Sequence, residues 1–287
     1  MSERNSTSPR ILVTGSARLD LYRVGGDSLQ GRYHLLHMHP LSVAELGIDD
    51  TGGLQQLLRF SGFPEPFFRG SDTFARRWSR EYRNLLIRDE VRSLERIDDL
   101  GRLELLVMRL PELVGSPLSI NALREDLEVA HKTMARWLDA LERLHAIFRV
   151  APFGTPRMRA IKKMQKHYHY DWSLVGAPGP RFENLVAAHL FKWVQWQQDT
   201  EGRDLELRYF RDKDDREVDF VVVEGRKPIL MVEAVLGDAE VGKGLRALAE
   251  RFPGCPAWQV HAEGRKDHVT KEHIRVAPAV ALLGTLV

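Results

Sequence analysis

The chain has 287 residues, of which 29% are charged and 43% hydrophobic, an ordinary balance for a globular protein. A formal net charge of only +2 gives no global argument for a polyanionic partner, so any such argument must come from local clusters. Cys255 is the single cysteine, which excludes a disulfide framework and a thiolate zinc site and fits a reducing cytoplasm. The first residues, MSERNSTSPR, are polar rather than signal-like, and no apolar run approaches the ~20 residues of a membrane span.

In chain order, Ile11–Ala17 (ILVTGSA) reads as a buried parallel strand that ends in small polar residues at a ligand edge. Residues 33–39 suggest another short strand, and Ser42–Leu46 the start of a short helix. From Leu54 to Leu110 the pattern is largely helical. Asp72–Ile97 is an arginine-rich amphipathic stretch whose interleaved acids favour a salt-bridged solvated face over a nucleic-acid stripe. Ser119 caps a predicted helix Ile120–Leu127. A turn at Glu128–Ala130 leads to a second helix, His131–Leu144, and then to an extended Ile147–Pro152. Helix, tight turn, helix and strand suggest a winged helix-turn-helix. Its second helix would turn Lys132, Thr133, Arg136 and Arg143 outward, and Arg157, Arg159, Lys162, Lys163 and Lys166 follow with no acid between them. This local basic cluster is the strongest nucleic-acid signal in the chain.

The C-terminal part alternates: an amphipathic helix Phe182–Gln197, a strand Leu205–Phe210, a hairpin, a helix Leu245–Phe252 and a strand Ala257–His261. The hairpin joins Val218–Val223 to Ile229–Val235 through a polar turn and places Asp219 on one strand and Glu233 on the next. Two carboxylates among valines are costly to bury without a compensating charge. Mg²⁺ is one compensator, since it takes carboxylate oxygens and water and can activate water for phosphodiester cleavage. Position 235, where a lysine would complete such a site, is Val235.

The words ILVTGSARLD, GGDSLQGRY, HPLSVAEL, SGFPEPF, SPLSINAL, RAIKK, YDWSLV, RFENLVAAHL and REVDFVVV with ILMVEAV, in that order, resemble the C-terminal part of prokaryotic AAA+-type ATPases. Those proteins carry a winged helix and a PD-(D/E)XK nuclease-like domain. The resemblance implies a multidomain α/β fold. Residues 1–46 would be a remnant of the ATPase core, 47–115 a helical connector, 116–160 the winged helix and 161–287 a small mixed-sheet nuclease-like domain. It makes Ser16 a nucleotide-sensor remnant, Glu183 the helical carboxylate, and Asp219 and Glu233 the metal-site acids, with Mg²⁺ between the latter two.

This chain departs from the family in three ways. No phosphate-binding G-x-x-x-x-G-K-[ST] loop precedes Ile11, so ATP is not expected to bind by that route. The motif lysine is Val235, with Lys243 and Lys227 as spatial substitutes. Ala130 stands where a serine would cap the second winged-helix helix. Gly26–Arg32 and Gly237–Lys243 imitate phosphate loops but lack the following Ser/Thr, and His34, His37 and His39 lack metal-ligating company. The expectation is a non-catalytic, DNA-binding or partner-binding remnant with a degenerate nuclease-like domain. The alternatives are a metal-dependent nuclease with a relocated lysine, or a fragment completed by a missing ATPase half. A partner chain or second copy would then cover the incomplete N-terminal sheet.

Overall fold

The structure, a computed structural model, describes residues 12–15, 34–87, 99–154 and 164–287. It divides at Tyr33/His34 into two units. In the first, Leu12–Gly15 carry no regular structure and Leu12 and Val13 are exposed, so the described part of the expected strand Ile11–Ala17 is not a strand. Ser16 and the Gly26–Arg32 loop lie outside the described residues.

The second unit, His34–Val287, is built on a sheet whose order is β2-β1-β3-β4-β5-β6-β8-β7. Its strands are β1 (Ile147–Pro152), β2 (Lys166–His169), β3 (Leu205–Arg211), β4 (Glu217–Glu224), β5 (Lys227–Val235), β6 (Ala257–His261), β7 (His268–Val269) and β8 (Ile274–Pro278). The hairpin β4–β5 forms as its valine runs predict, turning at Gly225, whose φ of +61° needs the freedom glycine has. Pairing is antiparallel from β3 to β5 and parallel from β5 through β6 to β8, which gives a mixed sheet in an α/β fold.

Helices cover both faces. Those before the sheet are α1 (Val43–Leu46), α2 (Thr51–Phe60), α3 (Pro64–Arg69), α4 (Asp72–Leu85), α5 (Leu100–Arg109), α6 (Ile120–Asp126) and α7 (His131–Arg143). Within and after it come α8 (Pro178–Glu201), α9 (Lys243–Arg251) and α10 (Ala279–Leu283). Helix α8 starts with Pro178 in its first turn and stops at Gly202 in the left-handed region. It buries Phe182, Leu185, Val186 and Leu190 against Phe220, Val222, Leu230 and Val232. On the other face, Leu245 and Leu248 of α9 pack on Val218, Val221, Met231 and Ile274. Each such fully buried side chain contributes ~1.5–3 kcal/mol, so these two layers hold the sheet in place. No helix among the described residues is long and apolar enough to cross a membrane.

One expectation is corrected here. Residues 34–40 form no strand; His39 is instead half-buried against Tyr170, with ring centroids 5.6 Å apart, and His37 bonds Asp199. Of the expected boundaries, 160/161 lies outside the described residues. After α7, β1 pairs in parallel with β3 (Ala151 with Arg208, Pro152 with Tyr209), so the strand that follows the helix pair belongs to the main sheet.

Candidate functional site

The site begins with an irregularity in β4. Arg208 pairs with Val221 and Phe210 with Val218, so two residues of β4, Asp219 and Phe220, face Tyr209 alone on β3. Such a bulge re-aims side chains. Val218 and Val221 consequently share one face while Phe220 and Val222 share the other. Asp219 is turned across the strand end, where its Oδ2 accepts the Ala234 backbone N–H at 2.9 Å.

Lys166, at the start of β2, fills the space this creates. It is fully buried. Its Nζ lies 2.5 Å from Glu217 Oε1, 3.3 Å from Glu183 Oε1 and 3.7 Å from Asp219 Oδ1. Tyr168, on the same strand, donates its hydroxyl to Glu183 Oε1 at 2.7 Å. Asn184 clamps α8 to β2, accepting the His169 N–H at 2.8 Å and donating to the His169 carbonyl at 2.7 Å, so Glu183 and Lys166 are held in register. Gly115, with φ of +84°, lies so close that a Cβ there would be 2.8 Å from Glu183 Oε2.

Charge and burial decide the protonation states. Burial alone would lower the Lys166 pKa, but the Glu183, Asp219 and Glu217 carboxylates outweigh it and raise it, so the ammonium is retained. Asp219 is pushed well above the usual carboxylate range by burial and by Glu183, with Lys166 opposing. Burial, then the neighbouring Glu183, likewise raises the Tyr168 phenol.

Glu233 stands apart. Its Oε2 is buried without a hydrogen-bond partner. The carboxylate lies against Gly242, whose added Cβ would come 2.7 Å from that oxygen. Burial, then the Glu217 charge, pushes Glu233 up to about 7.

The arrangement therefore revises the expected one. Glu183 and Asp219 do converge, but Glu217 rather than Glu233 completes the set around the cation. Neither expected substitute lysine takes part: Lys243 is exposed in the first turn of α9, and Lys227 pairs with Glu224 at the hairpin turn. Lys166 was visible only as the end of a basic run, and Glu217 two positions before Asp219 carried no signal beyond its charge. Two nearby arginines are engaged away from Asp219, Arg208 with Glu206 and Arg216 with Asp212 and Asp214. The Gly237–Lys243 phosphate-loop imitation is explained by packing, since Gly242 makes room for Glu233 and Gly244 for the Glu217 backbone.

An all-oxygen donor set suits a hard cation such as Mg²⁺. Here, however, an ammonium already sits among three of the four acids, and no group of three His, Cys, Asp or Glu side chains among the described residues is arranged to hold a metal ion. The residues as placed do not fit the metal pair expected at Asp219 and Glu233.

The other expected site lies on the helix pair α6–α7, whose turn passes through Glu128 at φ +51°. On α7, Met134, Trp137, Leu138 and Leu141 face inward, Lys132, Arg136 and Arg143 are exposed and Thr133 is half-buried. Ala130 gives α7 no side-chain cap, as the sequence implies. Lys162 and Lys163 lie outside the described residues.

Two family patterns match the chain: "Domain of unknown function (DUF8612)" over residues 51–179 and "Domain of unknown function (DUF4143)" over residues 178–281. "Uncharacterized protein Rv2008c" of Mycobacterium tuberculosis and "Uncharacterized protein Mb2031c" of Mycobacterium bovis are each 25% identical over 166 residues, 58% of this chain and 37% of theirs. The matched segment thus spans little more than a third of those relatives. No solved structure matches.

Proposed function

We propose that this chain is a DNA-binding protein rather than a catalyst, built around a PD-(D/E)XK-like acidic cluster whose cation position is filled by its own lysine. One observation carries this reading. The Lys166 ammonium lies where the carboxylates of Glu183, Glu217 and Asp219 converge, and so supplies the counter-charge a metal would otherwise bring. The DNA contact is assigned to the exposed face of α7, with Lys132, Thr133, Arg136 and Arg143 as contact residues, in the manner of a winged helix appended to an AAA+-type ATPase.

The decisive experiment is a DNA-cleavage assay with Mg²⁺ or Mn²⁺, run beside a binding titration. Binding without cleavage is expected. Robust cleavage that Asp219→Ala abolishes would overturn the non-catalytic reading. It would make Lys166 the relocated lysine of a working nuclease, with the unpartnered Glu233 carboxylate as its free ligand.

A further inference from the structure

Helix α4 was expected to be a solvated face whose arginines pair with neighbouring acids. Three of those acids, Asp89, Glu90 and Glu95, lie outside the described residues. Arg59, Arg76, Arg77, Arg80, Arg83 and Arg181 line an open groove of about 760 Å³, and Asp72 is the single acid among its described lining residues. Asp72 is taken by Arg59. The remaining anchored arginines are held by neutral groups: Arg76 by the Thr73 hydroxyl, Arg83 by the Ser79 carbonyl at 3.3 Å, and Arg181 by the Val175 carbonyl at 2.6 Å. Such bonds fix a guanidinium without cancelling its charge. Among the described residues, Arg77 and Arg80 are exposed and have neither a hydrogen bond nor an ion pair. Asp171, beneath the groove, is occupied by the Ser79 and Ser173 hydroxyls.

The geometry points to this groove as a second nucleic-acid contact that grips the phosphodiester backbone of duplex DNA without reading its sequence. Arg76, Arg77, Arg80 and Arg83 recur along one side of the helix. At ~1.5 Å of rise per residue they span roughly 10 Å. Phosphates on one DNA strand recur every ~3.4 Å of axis, so that span faces about three of them. The chemistry of the lining selects among phosphate ligands. Among the described residues no aromatic side chain lines the groove, and Ala75 and Leu174 are its apolar members. It therefore offers neither the stacking platform that single strands use nor an apolar slot for a nucleotide base. Arginine forks, by contrast, match phosphate oxygens in pairs. This inference stands independently of α7.

The test is fluorescence anisotropy with the full chain, using two unrelated 20-base-pair duplexes, a 20-nucleotide single strand and ATP as competitor, across a salt series. Both arginines are exposed, so Arg77→Ala/Arg80→Ala folds normally, which circular dichroism checks. The variant is expected to bind both duplexes about tenfold more weakly at moderate salt, with the salt slope reduced by about two. Unchanged affinity and slope would overturn the proposal, as would single strand or ATP binding to the wild type as tightly as duplex. A Lys132→Ala/Arg136→Ala variant separates the two surfaces. If it alone loses binding, the groove proposal fails and the α7 reading stands; if only the α4 variant loses binding, the α7 reading fails and the groove stands.

Discussion

The acidic cluster and the surface of α4 are both densely charged, yet they resolve that charge in opposite ways. Around Lys166 the charges are buried and compensate one another within the fold. Along α4, Arg76, Arg77 and Arg80 are exposed, and Arg77 and Arg80 find no compensation among the described residues. Buried charge must be neutralised locally because desolvation is costly, whereas exposed like charge is tolerated by water and left for a partner. The comparison teaches that charge density alone does not locate function in this molecule; whether the charge is already answered does.

The most forceful way to break that contrast is Lys166→Met. Removing the ammonium leaves Glu183, Glu217 and Asp219 facing one another, and a cost of about 3–5 kcal/mol is expected in urea denaturation. Near-normal stability would show that the carboxylates do not depend on the lysine. Mg²⁺ should restore part of the lost stability in the variant and leave the wild type unchanged.

Glu233 provides a pH test of nearly the same size. Its folded pKa of about 7 lies above the ordinary carboxylate value of 4.5, so the folded state holds the extra proton between those limits. Stability from this group is complete below the unfolded pKa and is lost as pH rises towards 7, by as much as about 3 kcal/mol. Glu233→Gln should remove that loss and be more stable than the wild type above pH 7; matching pH–stability curves would refute the assignment. The buried histidines act in the other direction. Burial lowers His39, His167 and His189 to about 4 and His169 to about 3, so their contribution is lost as pH falls below 6.5.

On the exposed side, Lys132→Ala/Arg136→Ala is expected to weaken duplex binding about tenfold, uniformly across sequences if the contacts are to phosphate and selectively if they are to bases. Anisotropy on two sequences distinguishes these outcomes. The smallest effect is a gain: Ala130→Ser gives α7 the cap it lacks and should add about 0.5–1 kcal/mol, read as a rise in the denaturation midpoint. No gain would mean that the start of α7 is held by its packing alone.

Local features of the fold were legible in the sequence. Two apolar, β-branched runs announced β4 and β5, apolar spacing announced α7 and α8, and β1 and β6 fall on the stretches expected to be extended. Long-range features were not. Nothing in Ile147–Pro152 says that it pairs in parallel with a strand more than fifty residues later. The small terminal elements β7, β8 and α10 are too short to carry a period. Asp219 was found because a carboxylate among valines is conspicuous. Lys166 was missed because the end of a basic run looks like solvent-facing charge until β2 carries it inside.

The seam between the two matched family regions falls at residues 178–179, and it cuts through the charge-compensated cluster. The cation and Tyr168 come from the N-terminal region; every acid comes from the C-terminal one. Separated at that seam, the C-terminal piece would retain four carboxyl groups without their positive partner, and the other piece a buried ammonium without anions. Each stretch on its own therefore carries a buried charge that only the other one answers.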